Sequence, residues 1–188
     1  TPDLATALMN EWEAKIEAIA QQTIHDDATS MSGVPTWTLV LLKRILEITG
    51  KQTIKEVWPN LELYLHGGVS FTPYKEQFKQ LIGGDISFLN VYNASEGFFA
   101  AQTSFEDDGM LLFLDHGIFY EFMPIEEYGQ PEPRTIGLND VEIDKNYALV
   151  ISTNGGLWRY LVGDTIAFTA LHPFKIKVTG RLKHYINA

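Results

Sequence analysis

Midway along this chain the spacing of its apolar residues changes, and that change limits the folds open to it. Near the start they recur every three or four positions, as Leu4, Leu8, Trp12, Ile16 and Ile19 do; from Glu96 onward they alternate with polar residues. The first pattern predicts helices with one buried face and the second predicts half-buried strands. A front half of helices and strands therefore feeds an antiparallel, barrel-like back half, an α/β class of fold. We place the division at 1–104 and 105–188.

The front half reads as a helix over Leu4–Ile24, then one from Trp37 to about Ile48 with Thr36 as N-cap and Gly50 as stop. A short helix leads to Trp58-Pro59, and Leu61–His66 reads as a strand. Gly67-Gly68 breaks it, Pro73 opens a helix to about Ile82 that Gly83-Gly84 ends, and Ile86–Tyr92 is again β-rich. His25-Asp26-Asp27 reads as a solvated helix end, because three adjacent residues cannot wrap one metal ion. In the back half, strands are expected at Glu96–Thr103, Met110–Leu114, Ile118–Met123, Tyr147–Thr153, Leu157–Val162, Thr165–Leu171 and Lys175–Thr179. Asp107-Asp108-Gly109 and Asn154-Gly155 supply hairpin turns, the latter suited to type I′ geometry. A polar connection surrounds Gln130-Pro131-Glu132-Pro133.

Composition excludes several functions. The 188 residues carry a net charge of −10 and no Lys/Arg stripe interleaved with aromatics, so nucleic acid is not an expected partner. No apolar run approaches the roughly 20 residues that cross a bilayer, and there is no cysteine, which removes disulfides and thiol chemistry. A soluble, cytoplasmic protein is the expectation, and without a signal-like start the Asn93-Ala94-Ser95 match to a glycosylation acceptor has no context.

Three segments place glycine, hydroxyl and carboxylate residues at strand ends, where ligands tend to sit. In His66-Gly67-Gly68-Val69-Ser70 the missing side chains admit a flat ring or a phosphate, or simply serve a strand-to-helix turn. Tyr92-Asn93-Ala94-Ser95-Glu96-Gly97 combines an aromatic face, a small residue, a hydroxyl for phosphate and a carboxylate for Mg2+, or forms a β-bulge with an exposed Glu. The strand from Gly156 ends in Val162-Gly163-Asp164, where Asp164 either accepts both hydroxyls of a ribose or sits in a hairpin turn.

Taken in this order, the segments resemble the Gretchen Hagen (auxin-responsive promoter) family of acyl acid-amido synthetases, within the adenylate-forming superfamily of acyl-CoA synthetases and luciferase. Its Tyr-x-x-Ser-Glu form is matched by Tyr92, Ser95 and Glu96, and its Val-Gly-Asp by Val162, Gly163 and Asp164. The resemblance implies the central part of the large N-terminal domain of an adenylate-forming enzyme, with ATP/AMP and Mg2+ as cofactors. It implies that Tyr92 stacks near adenine with Asn93 and Ala94 beside it, that Gly67 and Gly68 line the adenine slot, and that Ser95 touches the α-phosphate. Glu96 would ligate Mg2+, Asp164 would hold the ribose, and Arg181, in a segment resembling the one before the superfamily's hinge, would approach it. Val34 and Trp37 would border the pocket for a small carboxylic acid, whose acyl group passes to an amino acid or other amine. Leu161 stands where many members have Arg.

The phosphate loop of the superfamily and its C-terminal domain have no counterpart in this sequence, so a fragment inactive on its own is expected. A CoA ligase giving a thioester is a second possibility. Others are a nucleotide- or acid-binding module without chemistry and a structural domain whose glycines serve turns only.

Overall fold

Pro35 and Gly50 bracket a 15-residue helix. The structure, a computed structural model, describes residues 1–182. It forms two compact units, Thr1–Asn90 and Val91–Ala188.

In the first unit the helices are α1 (Leu4–Ala7), α2 (Trp12–Thr23), α3 (Pro35–Thr49) and α4 (Lys75–Ile82). Proline lacks an N–H and has its φ fixed, so Pro35 takes the first helical position and the cap falls on Val34; the expected cap, Thr36, lies inside the helix. Gly50 (φ 64°) and Gly83 (φ 73°) end α3 and α4 in the left-handed conformation, as expected. The single helix expected over Leu4–Ile24 is broken at Leu8–Glu11. Leu4 and Leu8 are 74% and 70% exposed, so nothing packs against the start of the stripe; Lys15 Nζ donates to Ala7 O (2.6 Å) and closes α1 instead.

Strands β1 (Ser30–Gly33) and β2 (Leu63–His66) pair in parallel, and β2 pairs in parallel with the first half of β3 (Ser87–Ala94). The register aligns Gly33, His66 and Asn90 at the carboxyl edge of the three strands. Leu39, Leu42 and Ile45 of α3, Phe78 and Ile82 of α4 and Tyr64 of β2 share one core, in which Tyr64 stacks on Phe78 at 4.7 Å. Two of its buried polar groups are paired: Tyr64 OH donates to Gly33 O (2.8 Å) and Trp58 Nε1 to Thr23 O (2.8 Å).

The second unit is antiparallel throughout. The second half of β3 pairs with β4 (Gly97–Gln102), followed in order by β5 (Met110–Leu112), β9 (Phe174–Arg181), β8 (Tyr160–Leu171), β7 (Asn146–Thr153) and β6 (Ile118–Pro124). In a flat sheet β4 and β6 would stand five spacings apart, roughly 24 Å. Their aromatic rings Phe99 and Tyr120 are instead 6.4 Å apart, so the sheet curls around a core that also contains Leu149, Ile166, Phe168 and Ile176. That is the barrel-like back half expected.

Two local expectations are corrected. Leu157–Val162 and Thr165–Leu171 are not separate strands, and Gly163-Asp164 is not a turn: β8 runs through them, with Gly163 at φ 93° and a register shift at Thr165/Ile166. A glycine can take the left-handed conformation within the ladder, so the chain bulges rather than reverses. The Asn154-Gly155 turn is not type I′, because neither residue takes a positive φ; Gly156 (φ 102°) and Arg159 (φ 45°) do. Among the described residues no helix is long and apolar enough to cross a membrane.

Candidate functional site

The bulge at Gly163 turns Asp164 into the second unit, where the residue is only 7% exposed. A carboxylate so buried must be hydrogen-bonded or give up its charge. Two motif residues meet that need: Tyr92 OH donates to its Oδ2 (3.0 Å) and Arg181 Nε donates to its Oδ1 (2.8 Å). Tyr92 comes from β3 and Arg181 from the end of β9, so the barrel gathers residues far apart in sequence. Leu182 N donates to Gly163 O (2.9 Å) and ties the end of β9 to the bulge. Each carboxylate oxygen keeps a lone pair beyond the bond it already accepts.

Tyr92 itself is 6% exposed, with its ring 5.0 Å from that of Phe99 in the core. Burial, and then the charge of Asp164, hold its phenol protonated far above the ordinary range, so it acts as a donor. Little of the ring face is left open, and its link to the site runs through the hydroxyl.

A register shift at Tyr92/Asn93 puts a bulge into β3, with Asn93 exposed and Ala94 half-buried against the core. Ser95 and Glu96 then form the two-residue turn between β3 and β4, with Ser95 exposed and Glu96 half-buried. The sequence offered a bulge with an exposed Glu or a ligand-binding turn here; the strand has a bulge at Tyr92/Asn93 and then the turn, with Glu96 half-buried rather than exposed. Hydrogen bonding to Glu96 holds the Tyr160 phenol above its ordinary value.

Tyr160 is the site neighbour that sequence reasoning left without a role, although it lies four residues before Asp164 in the third segment. It begins β8 just after Arg159, whose left-handed backbone is fixed by three contacts. Its N–H reaches Ser152 Oγ (3.0 Å), Nε reaches Glu121 Oε2 (3.1 Å) and an Nη group reaches Thr135 Oγ1 (3.0 Å). Thr135 in turn donates to Glu121 (2.6 Å). Beside this strand a cleft of about 260 Å3 is lined by Tyr128, Tyr160, Gly163, Arg181 and Leu182, among others.

In the first unit, Gly68 takes φ 81°, and a Cβ there would sit 3.3 Å from Val34. Close approach and a left-handed backbone both require glycine, so Gly68 and Val34 come together while Gly67 is buried. Trp37 is 51% exposed and lies with its ring 4.2 Å from that of Trp12. His66, which precedes the glycines, is 6% exposed and stacked on Phe71 at 4.1 Å, and burial lowers its pKa to about 4.

His66 makes acid stability measurable. The unfolded imidazole takes up a proton near its ordinary 6.5 and the folded one only near 4, so stability is full above 6.5 and falls as the pH drops between the two. The loss approaches ~3 kcal/mol. Urea unfolding of wild type and His66→Phe at pH 7 and pH 4.5 should show the wild type losing more; equal losses would contradict this.

The pattern of the GH3 family N-terminal domain matches residues 1–86, and that of the GH3 family central domain matches residues 111–181. Jasmonoyl--L-amino acid synthetase JAR4 of Nicotiana attenuata is 30% identical over 126 residues, covering 63% of this chain and 22% of that protein. Indole-3-acetic acid-amido synthetase GH3.3 of Arabidopsis thaliana is 29% identical over 126 residues, 63% of this chain and 21% of that protein. This chain thus spans about a fifth of the length of these relatives. Among solved structures, AtGH3.15 acyl acid amido synthetase in complex with 2,4-DB superposes with a TM-score of 0.71 at 15% identity, over 89% of this chain and 39% of that one. A 2-hydroxyisobutyryl-CoA ligase superposes at 0.64 and 15% identity, over 90% and 36%. The fold is the one that the matched parts of these two structures have.

Proposed function

This chain belongs to the GH3 family, and from that premise we propose that it supplies the nucleotide grip of an ATP-dependent ligase that activates a carboxylic acid and transfers its acyl group to an amine. The observation that carries the reading is the buried Asp164 carboxylate, held by Tyr92 and Arg181 at a bulge built by Gly163.

In this reading Asp164 receives the ribose hydroxyls on its remaining lone pairs, and Tyr92 and Arg181 fix its position. A carboxylate pinned at both oxygens loses no side-chain freedom on binding, which favours recognition. Ser95, exposed in the β3–β4 turn, donates to the α-phosphate. Glu96 in the same turn would hold Mg2+, and a single carboxylate suits a metal that takes most of its other ligands from phosphates and water. Bound there, Mg2+ would offset the charge that builds at phosphorus. Tyr160 orients Glu96 beforehand.

Substrate carboxylate oxygen attacks the α-phosphorus, the bond to the pyrophosphate oxygen breaks, and an acyl-adenylate results. Within the first unit, Gly68 leaves beside Val34 a space that a side chain would narrow, which supports reading Gly67, Gly68, Val34 and Trp37 as ligand-binding residues. The acceptor is an amino acid, in keeping with the amino acid synthetase that the chain resembles.

The test is acid-dependent exchange of radiolabelled pyrophosphate into ATP by the full-length protein that carries this sequence, over a panel of carboxylic acids. Exchange that requires a particular acid supports the reading. ATP binding without exchange for any acid would point to a binding module.

A further inference from the structure

The cleft beside Asp164 has a cation with unused donors. Arg181 gives only Nε to Asp164; its side chain is 65% exposed, and among the described residues its two Nη groups have no partner. A guanidinium carries five N–H groups in a planar fork, so four remain, in the arrangement that matches a second carboxylate. Arg181 lines the cleft together with Tyr128, Tyr160, Leu161 and Val162. The hydroxyl of Tyr160 is engaged by Glu96, whereas that of Tyr128 is bonded to no described residue.

Size and charge narrow the ligand. At about 260 Å3 the cleft is smaller than the roughly 300 to 1,000 Å3 that drug-sized ligands occupy. One guanidinium balances one negative charge. A phosphate chain placed here would find no second cation among the lining residues. A small molecule with a single carboxylate fits better.

We propose that this cleft binds the acceptor amino acid by its α-carboxylate, through the Nη groups of Arg181 and the hydroxyl of Tyr128, an assignment that rests on the amide-forming reading above. The acceptor is thereby anchored next to the residue that grips the ribose. Its free amine attacks the acyl carbon of the acyl-adenylate; the C–N bond forms, the bond between the acyl carbon and the phosphate oxygen breaks, AMP leaves with that electron pair, and the amine proton passes to solvent. Arg181 would bridge two carboxylates, that of Asp164 and that of the acceptor.

The experiment compares kcat/KM for an amino acid and for its carboxamide, which lacks the charge, in the full-length protein carrying this sequence and in its Arg181→Gln and Tyr128→Phe variants. Pyrophosphate exchange, which needs no acceptor, is measured in parallel. Wild type should prefer the amino acid roughly 10- to 100-fold, the worth of a charged hydrogen-bonded pair. Arg181→Gln should abolish most of that preference and Tyr128→Phe should reduce it. A preference unchanged in both variants overturns the proposal. So does a Tyr128→Phe variant whose exchange falls as far as its amide formation, since the cleft would then serve the nucleotide. A wild type with no exchange removes the amide-forming reading itself, and this proposal with it.

Discussion

Replacement of Asp164 by alanine is expected to lower acid-dependent pyrophosphate exchange by about 10²- to 10⁴-fold. Two hydrogen bonds from ribose hydroxyls to a charged acceptor contribute about 1.5–3 kcal/mol each, and both disappear. The substitution also leaves the Tyr92 hydroxyl, at 6% exposure, without its partner, which costs about 1–3 kcal/mol of stability. The structural and functional losses separate in the double variant Asp164→Ala/Tyr92→Phe. Removing both members of the pair should recover most of the unfolding midpoint while exchange stays low. If exchange recovered along with stability, Asp164 would be a structural carboxylate only.

Glu96→Gln is expected to cut exchange by about 100-fold or more with little change in stability. An amide of the same shape can still accept a hydrogen bond, while the charge that would hold Mg2+ is gone. Loss of charge stabilisation of this kind is worth several kcal/mol at a reacting phosphate. The deficit should appear as a raised Mg2+ requirement in exchange assays. Unaltered exchange at low Mg2+ would remove Glu96 from the metal's ligands.

The sequence carried the parts of the fold that rest on local chemistry. Gly50 and Gly83 end helices because the left-handed cap excludes most side chains, and that is readable from one residue. The change of period near Glu96 separates a parallel β1–β2–β3 arrangement from an antiparallel one for a similar reason. What escaped depends on neighbours distant in sequence. The stripe from Leu4 to Ile19 is periodic, yet its start is exposed, so periodicity alone could not locate the break after Ala7. Gly163-Asp164 has the composition of a turn, and only the ladder with β7 and β9 keeps the strand running through it.

The candidate site divides along the same line. Tyr92, Glu96 and Asp164 could be picked by residue type and Arg181 through the family resemblance, whereas the bonds that join three of them at one carboxylate are products of the curled sheet. Tyr160 and Tyr128 gave no signal of their own, because a tyrosine in a strand or a turn is ordinary until its neighbours are known. The use of the Tyr92 hydroxyl, with the ring in the core, likewise follows from burial rather than from the motif.

The most direct test of the ribose grip is a cycle of exchange rates for wild type and Asp164→Ala in the full-length protein carrying this sequence, each with ATP and with 2′,3′-dideoxy-ATP. If Asp164 holds the ribose hydroxyls, wild type should favour ATP by about 100-fold or more and the variant should scarcely distinguish the two nucleotides. A variant that kept the wild-type preference for ATP would contradict the account, and the hydroxyls would have to be read by another residue.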